Sequence, residues 1–136
     1  MTLLGSTPQL EHLAAHGEID VMLDTFPQNG GITTADALLM GVPVVTLLAD
    51  RVSGRSSASM LHTLGLDDLV ARTTDQYVEI AAGLAGDLDR LSRERATLRE
   101  RLLGSPLGDT RAYTRAVEAT YRQLWQRWCG APVPVS

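Results

Sequence analysis

The chain has 136 residues, 44% hydrophobic and 21% charged, with 16 acids against 12 basic residues and a net charge of −4. This is the size and balance of one globular domain with a core of its own. Without a basic excess it is no general binder of nucleic acid or of anionic membrane surfaces. All twelve basic residues are arginine, so this chain cannot complete any step that needs a lysine. The single cysteine, Cys129, excludes an internal disulfide framework and a multi-cysteine metal site. It stands at a helix end between Trp128 and Gly130 with no base beside it, and reads as a bystander thiol. No apolar run is long enough to span a bilayer and the N-terminus lacks signal-peptide features, so a cytoplasmic protein is expected.

In chain order, Thr2, Leu3 and Leu4 read as a strand end, and residues 8–16 as a short helix. Residues 19–24 read as a buried strand and residues 32–40 as a helix stopped by Gly41 and Pro43. Val44 to Leu48 is continuously apolar, as in a parallel strand covered on both faces. A loop with Asp50 and Arg51 precedes a helix over residues 56–64, and Leu69 with Val70 forms a last short strand. Alternating strands and helices make the fold class α/β. Tyr77, Ala81, Leu84, Leu88, Leu91, Leu98 and Leu102 then repeat at helical spacing, with Gly83 and Gly86 marking a bend or break. The charges of residues 90–101 read as a solvated helix face. After Ser105 and Pro106, the residues Tyr113, Val117, Tyr121, Leu124 and Trp128 line one side of a terminal helix, a spacing that predicts core packing. Residues 131–136 read as a tail.

The chemistry concentrates in Asp24 to Asp36, DTFPQNGGITTAD. A strand ends in an acid, crosses a glycine turn and opens a helix through paired threonines. Glycines let the backbone approach an anion, and the free N–H groups and positive end of the helix attract it. Asp36, one turn inside, is placed to accept from sugar hydroxyls. The residues therefore point to a nucleotide or nucleotide-sugar site. Asp24 is expected to bond the backbone of the turn and not to act as a base. Arg55 either braces the neighbouring loop or orients a phosphate, with bracing preferred. His16 and His62 are read as structural.

The run IDVMLDTFPQNGGITTADALLMGVPVVTL resembles the donor-binding core of the O-linked N-acetylglucosamine transferase family, SPINDLY-like and bacterial members included. The likeness continues through SGRSSASMLHTLGL and DDLVARTTDQYVEIAAGLAGDL to the SPL and LWQRWC segments. It implies the later part of the C-terminal, UDP-binding, Rossmann-like lobe of a GT-B glycosyltransferase (residues 1–72), with C-terminal helices packing on it (residues 73–130). Two or three strands are too few for a whole doubly wound lobe, so its early strands are expected upstream. The resemblance further implies transfer of N-acetylglucosamine from UDP-N-acetylglucosamine to serine or threonine of proteins, with inversion, no metal and no cofactor. It assigns donor binding to His12, Asn29, Gly30, Gly31, Ile32, Thr33, Thr34 and Asp36, with the backbone of Gly31, Ile32 and Thr33 around the diphosphate, Asp36 on the ribose and His12 near the base and phosphates. Ile32 stands where the family usually has threonine, and Gln9 where animal enzymes place a lysine. The catalytic lysine and the side that receives the protein acceptor are expected upstream, so no catalytic residue is assigned here. The alternatives are a non-catalytic nucleotide-binding or interaction module docking to a separate chain, and a GT-B transferase or epimerase for another UDP sugar.

Overall fold

The computed structural model describes residues 5–130. The expected strand end at residues 2–4 and the tail at residues 131–136 lie outside them. Three short parallel strands, β1 (Met22–Leu23), β2 (Val44–Leu47) and β3 (Val70–Ala71), form a sheet in the order β1-β2-β3. Met22 and Leu23 pair with Val44 and Val45, and Thr46 and Leu47 pair with Val70 and Ala71. The helices are α1 (Gln9–Ala15), α2 (Ile32–Leu39), α3 (Ser56–Thr63), α4 (Thr74–Ala85), α5 (Leu88–Gly104) and α6 (Thr110–Gly130). Short 3-10 turns occupy His16–Glu18, Val52–Gly54 and Asp67–Leu69. This is the expected α/β class, a small parallel sheet followed by helices.

One apolar cluster joins the sheet to the helices that follow it. Val44 and Val45 on β2 pack with Leu38 of α2, Leu61 of α3, Leu69, Tyr77 and Leu84 of α4, and Leu98 of α5. The continuous apolar run of β2 is thus explained, because the central strand is covered on both faces. Its neighbour β1 differs from the expected buried strand over residues 19–24. Only two residues pair, and Leu23 is 55% exposed. Among the described residues β1 has a strand neighbour on one side only, so it forms an edge of the sheet.

At the end of α2, Gly41 takes φ +80° and turns the chain into β2. A Cβ there would lie 2.7 Å from the carbonyl oxygen of Arg95, so the missing side chain also lets α5 approach. The expected break in the long helical stripe falls at Gly86 and Asp87. Asp87 restarts the helix by accepting a hydrogen bond from Arg90 N at 2.9 Å. The restart shifts the helical phase, which leaves Leu88 exposed while Leu91, Leu98 and Leu102 are buried.

Two expectations for the helical half need correction. The charged stretch 90–101 is more than a solvated face. Arg90 pairs with Asp68 at 2.5 Å, Arg95 donates to the carbonyl of Ile19, and Arg101 bonds both Glu94 and the carbonyl of Leu64, tying α5 to the sheet connections. The aromatic side of α6 is not core. Tyr113, Tyr121, Leu124 and Trp128 are all exposed, Trp128 by 74%, and α6 buries no residue. Helical spacing identified the apolar side correctly but not a partner for it. No helix among the described residues is long and apolar enough to cross a membrane.

Candidate functional site

The loop from Asp24 to Gly31 leaves the carboxyl end of β1 and delivers the chain to α2. Asp24 holds it shut. This carboxylate is only 3% exposed; Gly30 N donates to its Oδ1 at 2.8 Å and Thr46 Oγ1 donates to its Oδ2 at 2.7 Å. Its main chain joins the same framework: Asp24 N donates to the Val45 carbonyl at 3.0 Å, and Tyr77 OH donates to the Asp24 carbonyl at 2.8 Å. Burial first, and then the Asp24 charge, push the Tyr77 phenol above its ordinary pKa, so it remains a donor. Phe26, whose peptide bond to Pro27 is cis, stacks edge-on against Tyr77 at 5.5 Å. The expectation that Asp24 organises the turn is met. Thr46, Ser57 and Tyr77, which complete the network, carry no motif of their own.

Asn29 closes the other side. Its Nδ2 donates to the carbonyls of Thr25 at 3.0 Å and Leu47 at 3.4 Å, and its main-chain N donates to Ser53 O at 3.0 Å. Its Oδ1 is buried and has no partner among the described residues. Ser57 Oγ donates to the Gly30 carbonyl at 3.1 Å and lies 2.8 Å from Thr34 Oγ1, which is fully buried. At Gly30 there is no room for a side chain. A Cβ would meet Thr33 Oγ1 at 2.6 Å, Thr34 Oγ1 at 2.7 Å and Asp24 Oδ1 at 3.2 Å.

Gly31 is the opposite case: a Cβ there would meet nothing within 4 Å, and the residue flanks an uncapped helix start. The first intrahelical bond of α2 runs from Ala35 N to Gly31 O at 3.0 Å. The N–H groups of Ile32, Thr33 and Thr34 have no partner among the described residues, and Ile32 and Thr33 are exposed. Free amides, the helix dipole and the Thr33 hydroxyl therefore meet at one accessible point, with half-buried Asp36 a turn further on. Beside the loop, Pro27, Gln28, Arg51 and Ser53 line a depression of about 490 Å³.

His12 lies apart. It stacks edge-on against His16 at 5.1 Å and lines a separate cleft of about 350 Å³ with Thr7, Ile19 and Met22, which shares no residue with the loop. His16 is buried, its Nδ1 bonded to the His12 carbonyl at 3.0 Å, in keeping with a structural role. Arg55 braces its loop through the backbone alone, N to Val52 O at 3.1 Å; its guanidinium bonds nothing among the described residues. His62 is exposed and paired with Asp67 at 2.6 Å, a bond that raises its pKa above the ordinary value.

Comparison with known proteins places this arrangement. The model of glycosyl transferase family 41 matches residues 3–117. The tomato protein (Solanum lycopersicum) described as "Probable UDP-N-acetylglucosamine–peptide N-acetylglucosaminyltransferase SPINDLY" is 44% identical over 124 residues, which are 91% of this chain and 13% of that protein. The Caenorhabditis elegans UDP-N-acetylglucosamine–peptide N-acetylglucosaminyltransferase is 36% identical over 124 residues, 90% of this chain and 11% of its own length. Among solved structures, a point mutant of the Thermobaculum terrenum O-GlcNAc transferase superposes with a TM-score of 0.87 and 42% identity, covering 93% of this chain and 24% of that one. The chain thus spans a small part of the length of the relatives it matches, and over that part both sequence and fold agree. It belongs to glycosyl transferase family 41.

Proposed function

We propose that this chain is the donor-binding part of a protein O-N-acetylglucosaminyltransferase, and that its glycine loop holds the diphosphate of UDP-N-acetylglucosamine. The observation that carries the reading is the uncapped start of α2, where exposed amides follow a loop locked from behind by Asp24, Asn29 and Ser57. The amides of Ile32 and Thr33, approached across bare Gly31, take diphosphate oxygens, and the Thr33 hydroxyl adds a donor. These dipoles are already fixed, so they stabilise the negative charge that grows on UDP as the sugar leaves. No metal or cofactor has a role in this scheme, and transfer proceeds with inversion. Asp36 accepts from the ribose hydroxyls. His12 approaches the base once the remainder of the protein shapes that side. Asn29, Gly30 and Thr34 act one step back, because their polar groups or lack of side chain set the loop's shape.

The relatives' names supply the donor and the peptide acceptor, and the proposal extends both to the protein that contains this segment, in a cytoplasmic setting. The catalytic lysine and the acceptor side belong to regions beyond this chain. Isothermal titration of the 136-residue chain with UDP, UDP-N-acetylglucosamine and GDP tests the reading. Uridine ligands should bind in preference to GDP, and Asp36→Asn should weaken UDP by about tenfold, the worth of one charged hydrogen bond. Equal binding of UDP and GDP, or no effect of Asp36→Asn, refutes it, and so does robust sugar transfer by the chain alone. A second reading, an interaction module docking to a separate chain, draws support from the exposed aromatic side of α6. Absence of UDP binding together with capture of the isolated catalytic remainder would favour it.

A further inference from the structure

Away from the glycine loop, a cleft of about 480 Å³ lies between α3 and β3. Its floor is apolar, made by Leu48, Ala58 and Val70, and its rim carries Arg55, His62 and Arg72. Leu48 directly follows β2 and Arg72 directly follows β3, so the cleft opens at the carboxyl ends of parallel strands, where open α/β sheets bind ligands. It shares no lining residue with the loop 24–36.

The charge in this cleft is unbalanced. Asp67 is the one acid lining it, and its Oδ1 is already taken by His62 Nδ1 at 2.6 Å. Neither the Arg55 nor the Arg72 guanidinium has a hydrogen bond or ion pair among the described residues. Arg90, Arg95, Arg101 and Arg122 each find a carboxylate or a carbonyl; what sets Arg55 and Arg72 apart from the other arginines without a partner among the described residues is that both line one cleft. In a chain of net charge −4, two unpaired arginines against the single acid Asp67 leave the cleft with a local excess of positive charge. A guanidinium's planar fork matches a carboxylate or phosphate oxygen pair better than it matches water. The apolar floor accommodates a carbon skeleton.

We propose that the cleft between α3 and β3 is a binding site for a small organic anion, with Arg55 and Arg72 gripping its phosphate or carboxylate and Leu48, Ala58 and Val70 seating its carbon body. His62, whose Nδ1 is held by Asp67, supplies a further donor at the rim through Nε2 in its protonated form.

The test follows the arginine Nε–H, His62 ring and backbone amide NMR signals of the 136-residue chain during separate titrations with inorganic phosphate and with citrate. Saturable shifts at Arg55, His62 and Arg72 at millimolar anion or below are expected for at least one probe. Arg55→Gln and Arg72→Gln should each weaken that binding by about tenfold, the loss of one charge-assisted contact. Asp36→Asn, in α2 behind the glycine loop, should leave it unchanged. A response to phosphate alone assigns a phosphate ester, and a response to citrate alone assigns a carboxylate. No saturable shift at these three residues, shifts confined to the amides of residues 30–33, or shifts that survive both arginine substitutions would overturn the proposal. Both arginines are exposed, so both variants should keep the fold, which the unchanged amide spectrum of the core checks.

Discussion

The glycine loop and the terminal helix α6 are both plain in the pattern of residues, and they differ in what surrounds them. The loop is tied down at several points, with Asn29 Oδ1 its one buried polar atom without a partner among the described residues: Asp24 reaches Gly30 and Thr46, Asn29 Nδ2 reaches Thr25 and Leu47, and Ser57 reaches Gly30. Helix α6 carries a clear aromatic side and buries none of it. A loop that must present backbone amides needs its own polar groups satisfied from within, because each buried orphan costs free energy. An amphipathic helix needs only some apolar surface to face, and that surface can belong to another part of a larger protein. Order at the loop is supplied from within this chain; order on α6 depends on what lies against it.

Substitutions can break or sharpen this contrast. The largest effect is expected from Asp24→Ala, which strands the Gly30 N–H and the Thr46 hydroxyl in a dry setting. A loss of about 3 kcal/mol in urea unfolding is expected, together with loss of UDP binding. Next comes Gly30→Ala, whose methyl group has no room beside Thr33 and Thr34; about 2 kcal/mol should be lost by overpacking. Gly31→Ala, facing open space, should be tolerated, and equal damage from the two would show that the loop is not shaped as described. Tyr77→Phe removes one buried donor from the Asp24 carbonyl and should cost about 1 kcal/mol by thermal melt. By contrast Trp128→Ala on α6 should change the stability of this chain by no more than about 0.5 kcal/mol. A larger loss would mean that α6 packs against this chain in solution.

The smallest expected effect is at His62. Its bond to Asp67, and then that carboxylate's charge, raise its folded pKa above 6.5. Its contribution to stability is therefore fully present below pH 6.5 and disappears as pH rises through the raised value. An NMR titration should place the midpoint above 6.5, and Asp67→Asn should return it to the ordinary value.

The α/β order, the helix from Ile32, the stop at Gly41 and the break at Gly86 were all legible, because glycine, proline and capping residues act through their own backbone. The glycine turn into an uncapped helix start was legible for the same reason. Its supports were not. Ser57 and Tyr77 are 27 and 53 residues from the groups they bond, and nothing local marks such a pairing. Nor does anything local mark the pairing of the Thr34 hydroxyl with Ser57. Arg55 was expected to brace a loop; its backbone does so, while its guanidinium lies on an open cleft.

The sequence by itself determined where the chain turns, which faces are apolar and where bare amides meet a helix start, since these follow from φ preferences, periodicity and caps. Only the tertiary structure decided which polar groups are spent internally and which remain for a ligand. It also decided which apolar face is covered here and which is not. Those outcomes depend on distances between residues far apart in the chain, and burial sets their energy.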